Sequence, residues 1–235
     1  MKPLCVAAVV VLSLTSVCQA ASLACEKMLK PVDKGPDIRG IWYLIAISSE
    51  ECWVSTLFNS VLWPSVEMNI TSKDTSKIHS AEFKFKIYGY CHIEREHYLY
   101  ENNTLSDVNI NTDEAEGEPD VLLQSGCPDC IVIKERNNVV FLISRRKTVT
   151  DAELKEFESQ VACLGWSKPE VTNSDYDYEN CLSFDDDGDT SGLSSLILKR
   201  LRNTYIEAFK CFMVTLFSQP GTMFALAKET WSDMW

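Results

Sequence analysis

Positive charge is scarce in this sequence: 22 Lys and Arg residues stand against 34 Asp and Glu, which gives a formal net charge of −12. Because like charges repel, this balance disfavours phosphate backbones and anionic lipid surfaces, and no nucleic-acid partner is expected. Histidine is scarce too. His79, His92 and His97 show neither i, i+4 nor His-x-His spacing, so they indicate no metal site. No cofactor is predicted.

Long hydrophobic runs are also missing. The longest run near the start, Leu4 to Val17, has 14 residues and is too short to cross the ~30 Å hydrocarbon core of a membrane, so no transmembrane segment is expected. It follows the basic start Met1-Lys2-Pro3 and precedes Cys18-Gln19-Ala20, a small-x-small cleavage pattern. We therefore predict a signal peptide over residues 1–20 and a secreted, extracellular protein.

Cleavage would leave eight of the ten cysteines, and in an exported chain these are expected to form disulfides. The Asn-x-Ser/Thr sequons at Asn69 and Asn102 fit a secreted glycoprotein.

Short apolar runs separated by turn residues follow one another from Gly40 to about Arg146. In Ala81 to Ile87, apolar residues alternate with Glu82, Lys84 and Lys86, as in a half-buried strand. The spacing predicts eight strands: Trp42 to Ile47, Val66 to Ile70, Ala81 to Ile87, Cys91 to Tyr100, Leu105 to Ile110, Val121 to Leu123, Ile131 to Ile133 and Val139 to Ile143.

One helix follows the strands. Thr150 and Glu153 form a capping box, Leu154, Phe157 and Val161 share one face, and Gly165 fits the C′ position. We predict an all-β, eight-stranded antiparallel up-and-down barrel with one flanking C-terminal α-helix. Such a barrel has an interior just wide enough for one small ligand.

Ordered motifs along residues 23–184 resemble the lipocalin family. The branch in question contains apolipoprotein M and orosomucoid and includes the fish saxitoxin- and tetrodotoxin-binding proteins. The motifs that carry this resemblance are Gly40-Ile41-Trp42, Tyr90-Cys91, Gly117-Glu118-Pro119-Asp120, Ser125-Gly126-Cys127-Pro128, Leu154-Lys155-Glu156-Phe157, Ala162-Cys163-Leu164 and Cys181. The resemblance implies a carrier that transports or sequesters a small hydrophobic or amphipathic ligand in its barrel.

The resemblance also implies two long-range disulfides, Cys25–Cys163 and Cys91–Cys181. A third bridge of the branch lacks its partner, because Glu153 stands near that position, and we predict a local Cys127–Cys130 bridge instead. A redox Cys-x-x-Cys would need a βαβ setting, which an all-β chain does not offer. Cys52 and Cys211 are left with three alternatives: they pair, stay free or cross-link two chains.

A nucleophilic Cys52 thiol would need a base within hydrogen-bond reach, and no histidine arrangement indicates one, so we predict no enzyme.

The alternation identifies side chains that should face the cavity. We expect Trp42 to close the narrow end, with Arg145 or Arg146 stacked on its ring. The other candidates are Leu44 near this end, Phe83, Phe85 and Ile87 on the wall, and Tyr98 and Tyr100 on the next strand.

The charged candidates set this chain apart from its relatives. Where apolipoprotein M, whose ligand carries a phosphate, has basic residues, this chain has Glu94 and Glu118. A carboxylate would repel a phosphate by about 4 kcal/mol at an effective dielectric constant of 20, unless Arg95 turns inward. A cationic guanidinium ligand is therefore an alternative. A third hypothesis is a lipocalin that acts through lipoprotein or immune partners.

The predicted lipocalin domain spans residues 21–184, and an acidic linker follows over 185–192. An EF-hand is excluded there, because the loop that places Gly188 sixth would begin at Ser183 and end at Ser194. Residues 193–235 have no counterpart in the family. They carry apolar residues at helical spacing from Leu193 to Phe209, which predicts either a partner- or membrane-binding helix or a non-native tail from a misassigned gene end.

Overall fold

A computed structural model describes residues 23–72, 77–109, 112–183 and 191–218. Within these residues one sheet contains ten strands. Their bounds are β1 (Gly40–Ser49), β2 (Ser65–Ser72), β3 (Ile78–Ile87), β4 (Tyr90–Glu101), β5 (Thr104–Val108), β6 (Ala115–Leu123), β7 (Cys130–Lys134), β8 (Val139–Ser144), β9 (Glu170–Val171) and β10 (Leu182–Ser183).

Strands β1 to β8 form a closed antiparallel barrel. Each strand pairs with its neighbours in sequence, and β1 also pairs with β8. The β4–β5 hairpin runs from the Tyr98–Asp107 pair to the Glu101–Thr104 pair and leaves no gap between the two halves. Because alternate side chains of a strand point to opposite faces, closure turns one face of every strand into a shared interior. The predicted eight-stranded up-and-down barrel is confirmed.

Five helical segments accompany the barrel in the described part of the chain. Helix α1 covers residues 23–28. Helix α2 (Cys52–Ser55) continues directly into a π-helix (Thr56–Leu62), and we call these two segments together the lid. Helix α3 (Asp151–Leu164) follows the barrel, and helix α4 (Ser191–Ser218) ends the described chain. No helix among the described residues is both long and apolar enough to cross a membrane.

Helix α3 begins and ends where its sequence signals predict. The Thr150 side chain accepts a hydrogen bond from the Glu153 backbone N–H, and the Glu153 carboxylate accepts one from the Thr150 backbone N–H. Gly165 adopts the left-handed conformation that ends the helix. Phe157 and Val161 are buried against the outer wall of the barrel, where they contact the side chains of a core formed by Ile45, Ala46, Leu123, Val132, Val140 and Leu142.

The narrow end of the barrel is closed by a stacked pair. The Arg145 guanidinium lies 3.9 Å from the centroid of the Trp42 ring, and the Trp42 indole N–H donates to the Ile38 carbonyl at 2.6 Å. Gly40 has a φ of +95°, and a Cβ there would lie 2.7 Å from Arg145 Nη1. Glycine is therefore required, because a side chain would displace the guanidinium from Trp42. The alternative stacking residue, Arg146, instead pairs with Glu153 at 2.7 Å.

A C-terminal segment seals the barrel wall between β1 and β2. These strands pair only from Gly40–Ile70 to Tyr43–Glu67, and β9 then pairs with β1 at Ala46 and Ile47. Thr172 and Tyr176 both donate side-chain hydrogen bonds to the Leu44 carbonyl, at 2.6 and 3.0 Å. The backbone of β1 is thus satisfied where β2 has turned away toward the lid.

Disulfides tie the peripheral segments to the barrel. Cys25–Cys163 joins α1 to α3, Cys91–Cys181 joins β4 to the segment before β10, and Cys127–Cys130 closes a short loop. Cys52–Cys211 joins the lid to α4 across 159 residues. In the chain-entropy account, each of the three long-range bridges stabilises the fold by roughly 4 to 5 kcal/mol. Three of these pairs are the ones predicted from the sequence. Of the three alternatives left open for Cys52 and Cys211, the structure shows that they pair with each other.

The strand predictions differ from the structure mainly at β6. This strand begins at Ala115, whereas the apolar pattern marked only Val121 to Leu123. Its first half is polar and exposed, so period-two hydrophobicity could not reveal it. The short strands β9 and β10 were not predicted. The predicted signal peptide lies outside the described residues, as do Ile110, nearly all of the predicted linker and residues 219–235. Residues 193–218 of the extension belong to α4.

We expect Phe157→Ala to lower the free energy of unfolding by about 3 to 5 kcal/mol, because it leaves a cavity between α3 and the barrel. Urea denaturation followed by circular dichroism measures this change. The control Lys155→Ala, on the exposed side of the same helix, should change stability by less than about 0.5 kcal/mol. Equal effects of the two substitutions would contradict this packing.

Candidate functional site

The barrel encloses a cavity of about 420 Å³. Its lining is mostly apolar and comes from every barrel strand and from the lid. The apolar lining residues are Ile38, Leu44, Ile47, Val54, Phe58, Val66, Met68, Ile70, Ala81, Phe83, Phe85, Leu105, Ile133, Val139, Phe141 and Ile143. Apolar side chains facing an enclosed space are typical of a site for a small hydrophobic molecule.

The aromatic part of the wall lies on β3. Phe83 and Phe85 alternate with Glu82, Lys84 and Lys86, which are on the opposite face of the strand, and the two phenyl rings stack with centroids 6.1 Å apart. On β4, Tyr98 meets Phe83 edge to face at 6.3 Å. These rings offer a flat apolar surface on which a ligand body can pack.

Carboxylates line the part of the cavity wall that begins on β4, the strand next to β3. Glu94 and Glu96 project inward from β4, because their partners across the sheet are the inward-facing Phe83 and Ala81. Asp120 on β6 and Glu135 just after β7 also line the cavity. We call these four residues the acidic wall. His79 and Tyr98 complete the polar lining.

Two residues of the acidic wall, Asp120 and Glu135, have raised pKa values. Burial, followed by the charges of Asp120 and Asp107, raises the pKa of Glu135 to about 7. Burial likewise raises the pKa of Asp120. The Tyr98 hydroxyl donates to the Glu96 carboxylate, and burial together with this bond raises the pKa of the tyrosine. Because desolvation and like charges both disfavour the ionised form, Asp120 and Glu135 hold their protons to higher pH than exposed carboxyls do.

Arg136 borders the acidic wall. Its guanidinium pairs with Asp107 at 2.5 Å, and its backbone N–H donates to an Asp120 carboxylate oxygen at 3.2 Å. The same guanidinium donates to the Glu116 and Glu118 carbonyl oxygens, each at 3.3 Å. Arg136 thereby cross-links β5, β6 and the end of β7. Its charge lowers the pKa of Glu135, but burial and the neighbouring carboxylates outweigh it.

The lid covers one end of the cavity, which we call the mouth. Val54 of α2 and Phe58 of the π-helix contribute to the lining. Cys52, at the start of the lid, is bonded to Cys211 of α4. Beyond the lid, the Arg200 guanidinium of α4 stacks 4.2 Å from the centroid of the Trp63 ring. Helix α4 therefore holds the lid at both ends. The disulfide also removes the Cys52 thiol considered as a nucleophile.

Five of the nine cavity residues predicted from the sequence line the cavity. These are Leu44, Phe83, Phe85, Glu94 and Tyr98. Two others are displaced along the barrel axis: Ile87 lies at the mouth end of β3, and Tyr100 lies toward the narrow end, where its hydroxyl donates to the Pro36 carbonyl at 3.0 Å.

The other two predicted cavity residues face solvent, which corrects the sequence-based expectation. Arg95 is on the outer face of β4, where it pairs with Glu82 at 2.7 Å. Its neighbour Glu94 faces inward, and adjacent strand residues point to opposite faces. Glu118 is exposed because the β5–β6 pairing shifts register between Leu105 and Asp107, which leaves this part of β6 unpaired.

Sequence reasoning missed three members of the acidic wall, Glu96, Asp120 and Glu135. Glu96 carried a usable signal, since it stands two residues from Glu94 and so shares its face. Asp120 and Glu135 gave none, because the β6–β7 pairing and barrel closure bring them to the cavity. His79 was also missed as a lining residue, and its buried Nδ1 has no hydrogen-bond partner.

The predicted glycosylation sites differ in accessibility. Asn102 is exposed in the β4–β5 turn, whereas Asn69 is half-buried within β2. Among the residues that the structure describes, no group of three or more His, Cys, Asp or Glu side chains is arranged to hold a metal ion.

A closed up-and-down barrel with a lidded cavity and a flanking C-terminal helix defines a lipocalin. The ApoM domain family matches residues 7–182, which is most of the chain, and the chain therefore belongs to this lipocalin branch of ligand-binding proteins. No curated protein sequence matches it significantly. A solved structure of the siderocalin Ex-FABP is similar at a TM-score of 0.45 and 13% identity, covering 58% of this chain and 94% of that one.

The substitution Glu135→Gln should stabilise the protein above neutral pH. The folded-state pKa of about 7 lies above the reference value of 4.5, so the folded state binds more protons than the unfolded state between these values. Stability therefore falls as pH rises through this window. Removing the charge should raise the free energy of unfolding at pH 8 by on the order of 3 kcal/mol, and this gain should vanish near pH 4.

Urea denaturation of both proteins across this pH range measures the difference. Glu118→Gln is the matched control, because it removes the same charge from an exposed position, and it should change stability by less than about 0.5 kcal/mol. If Glu135→Gln raises the free energy of unfolding by the same amount at every pH, then burial and neighbouring carboxylates do not raise the pKa of Glu135.

Proposed function

We propose that the protein is a secreted carrier whose barrel holds a small hydrophobic molecule with a cationic head, such as a lipophilic amine. The observation that carries this proposal is the combination of a mainly apolar cavity with the acidic wall on one of its sides. The proposal assigns the ligand body to the apolar residues that line the cavity and the cationic head to the acidic wall.

The cavity suits the apolar part of such a ligand. Its volume of about 420 Å³ falls within the roughly 300 to 1,000 Å³ of typical small-molecule pockets. Each square ångström of apolar ligand surface removed from water contributes about 25 cal/mol to the free energy of binding. Phe83, Phe85 and the aliphatic residues opposite them therefore supply most of the binding free energy in this proposal.

The acidic wall determines which head group is favoured. Burial, and after it the neighbouring carboxylates, raises the pKa of Asp120 and of Glu135, and a cation beside them would stabilise their ionised forms. An anionic head would add to that repulsion, at about 4 kcal/mol for a close contact at an effective dielectric constant of 20. Arg95 lies on the outer face of β4, so its positive charge does not offset this repulsion inside the cavity. This favours an amine over a phosphate or carboxylate.

A guanidinium ligand is the second candidate within the same charge class. A guanidinium presents a planar set of N–H donors that pairs well with carboxylates, so Glu94 and Glu96 could bind it as well as an amine. The lipoprotein-associated or immune hypothesis is compatible with the same barrel, since it concerns the outer surface.

Secretion is part of the proposal. The four disulfides among the described residues are typical of an oxidising compartment, and the first twenty residues have the pattern of a signal peptide.

Matched alkyl probes test the ligand class. Dodecylamine, dodecylguanidine, dodecanoate and dodecyl phosphate share one tail and differ in the charge of the head. Isothermal titration at pH 8 should give Kd values for the two cations at least about tenfold below those of the two anions, equivalent to about 1.4 kcal/mol. The cation affinity should fall as pH drops below 7, because Glu135 becomes protonated.

A variant combining Glu96→Gln, Asp120→Asn and Glu135→Gln should lose this discrimination while it keeps affinity for the tail. Arg95→Gln, on the outer face of β4, is the control and should leave all four affinities unchanged. If none of the probes binds, the carrier function is wrong. If the anions bind as tightly as the cations, only the head-group assignment is wrong.

The lid should control the rate of ligand release. In the double variant Cys52→Ser with Cys211→Ser, the lid loses its covalent link to α4. If that link stabilises the closed lid by about 1.4 kcal/mol, dissociation of dodecylamine should be roughly tenfold faster, as measured by stopped-flow tryptophan fluorescence. An unchanged dissociation rate would mean that the ligand leaves by another route.

A further inference from the structure

Helix α4 turns an apolar surface toward solvent. Leu193 and Cys211 are buried on its inner side, against the protein. On the outer side, Leu198, Tyr205 and Phe209 are 64%, 60% and 59% exposed. These three residues are seven and four positions apart, so they lie in one row along the helix. We call this row, with its exposed neighbours Leu201 and Ile206, the outer stripe. An apolar surface of this extent on an otherwise polar protein marks an interaction site.

The charge of α4 is opposite to that of the rest of the chain. Its sequence from Ser191 to Ser218 contains four Lys and Arg residues and one Glu, whereas the whole chain has a net charge of −12. Lys199 and Arg202 are exposed, and helical spacing places Arg202 between Leu198 and Tyr205, beside the outer stripe. Two exposed basic residues of an otherwise acidic protein thus lie beside the outer stripe.

We infer that α4 is a docking helix for an anionic lipid surface. In this arrangement the outer stripe enters the boundary between head groups and acyl chains, and Lys199 and Arg202 contact the anionic head groups. A helix with Leu and aromatic residues on one face and basic residues beside them has the composition of interfacial membrane helices. The docking helix does not depend on the ligand class proposed for the cavity.

The same charges argue against a second copy of the chain as the occupant. A symmetric contact between two α4 helices would bring Lys199 and Arg202 close to their own copies, with a cost from like-charge repulsion. An anionic lipid surface instead offers attraction to the basic residues and an apolar layer for the stripe. The tyrosine in the stripe fits this boundary, since its ring is apolar and its hydroxyl is polar.

Docking by α4 would bring the mouth of the barrel close to the lipid. The helix is joined to the lid by Cys52–Cys211 and by the Arg200–Trp63 stack, and Phe58 of the lid lines the cavity. A hydrophobic molecule could then pass between the bilayer and the cavity along a short path, without its apolar part crossing bulk water.

Vesicle flotation of the disulfide-bonded, secreted full chain tests the inference. Vesicles of phosphatidylcholine alone are compared with vesicles that also contain phosphatidylserine, at low and at physiological salt. We expect binding to the anionic vesicles that weakens with salt. The double variant Lys199→Glu with Arg202→Glu should lower the partition coefficient at least about 25-fold, from about fivefold for each basic residue lost.

Two matched controls isolate α4. Lys27→Glu with Lys155→Glu makes the same charge change at exposed positions outside α4, and Ile93→Ser removes an apolar side chain that is 56% exposed on β4. Both should keep wild-type flotation, whereas Leu198→Ser with Phe209→Ser should abolish it. Circular dichroism and an unchanged response to the cavity probes show that each variant is folded.

Three results would overturn the inference. The first is equal binding to both vesicle types, and the second is wild-type flotation of the α4 variants. The third is a dimer, seen by analytical ultracentrifugation, that the Leu198→Ser and Phe209→Ser variant converts to a monomer, since the stripe would then be an interface between copies. Loss of probe binding with intact flotation would reject the proposed ligand class and would support the docking role of α4 independently of it.

Discussion

Closure of the barrel between β4 and β5 is the constraint on which the other features depend. An open sheet of the same strands would expose two hydrogen-bonding edges and would not enclose a volume. The pairs from Tyr98–Asp107 to Glu101–Thr104 remove those edges. They also bring β4 next to β5, which β6 and β7 follow around the barrel, so that carboxylates from three separate parts of the chain line one cavity.

The interior combines two opposing demands. Apolar side chains are stabilised by burial. The ionised forms of Asp120 and Glu135 are instead destabilised by desolvation and by neighbouring carboxylates, and their pKa values are raised as a result. Arg136 offsets part of this destabilisation, because its guanidinium pairs with Asp107 and its backbone N–H donates a hydrogen bond to the Asp120 carboxylate. A protein selected for stability alone would not place these carboxyls in a cavity. Under the proposed function, a cationic ligand would supply positive charge beside these carboxyls.

Segments outside the barrel decide how the mouth is covered. The gap that opens between β1 and β2 is filled by β9 and by hydrogen bonds from Thr172 and Tyr176. The lid occupies the same end and is held by α4 through Cys52–Cys211. The C-terminal extension is thus connected to the mouth of the barrel. A change in the position of α4 would be transmitted to the lid through a covalent bond.

The sequence by itself determined what depends on local pattern, namely the alternating strands and the capped helix α3. It also placed Glu94 and Arg95 on opposite faces, because strand side chains alternate. Only the tertiary structure decided which face was inside, since this is set by pairing with β3. The bulge that turns Glu118 outward and the meeting of Asp120 with Glu135 likewise depend on register between strands. Register is a property of two strands together, and no single segment encodes it.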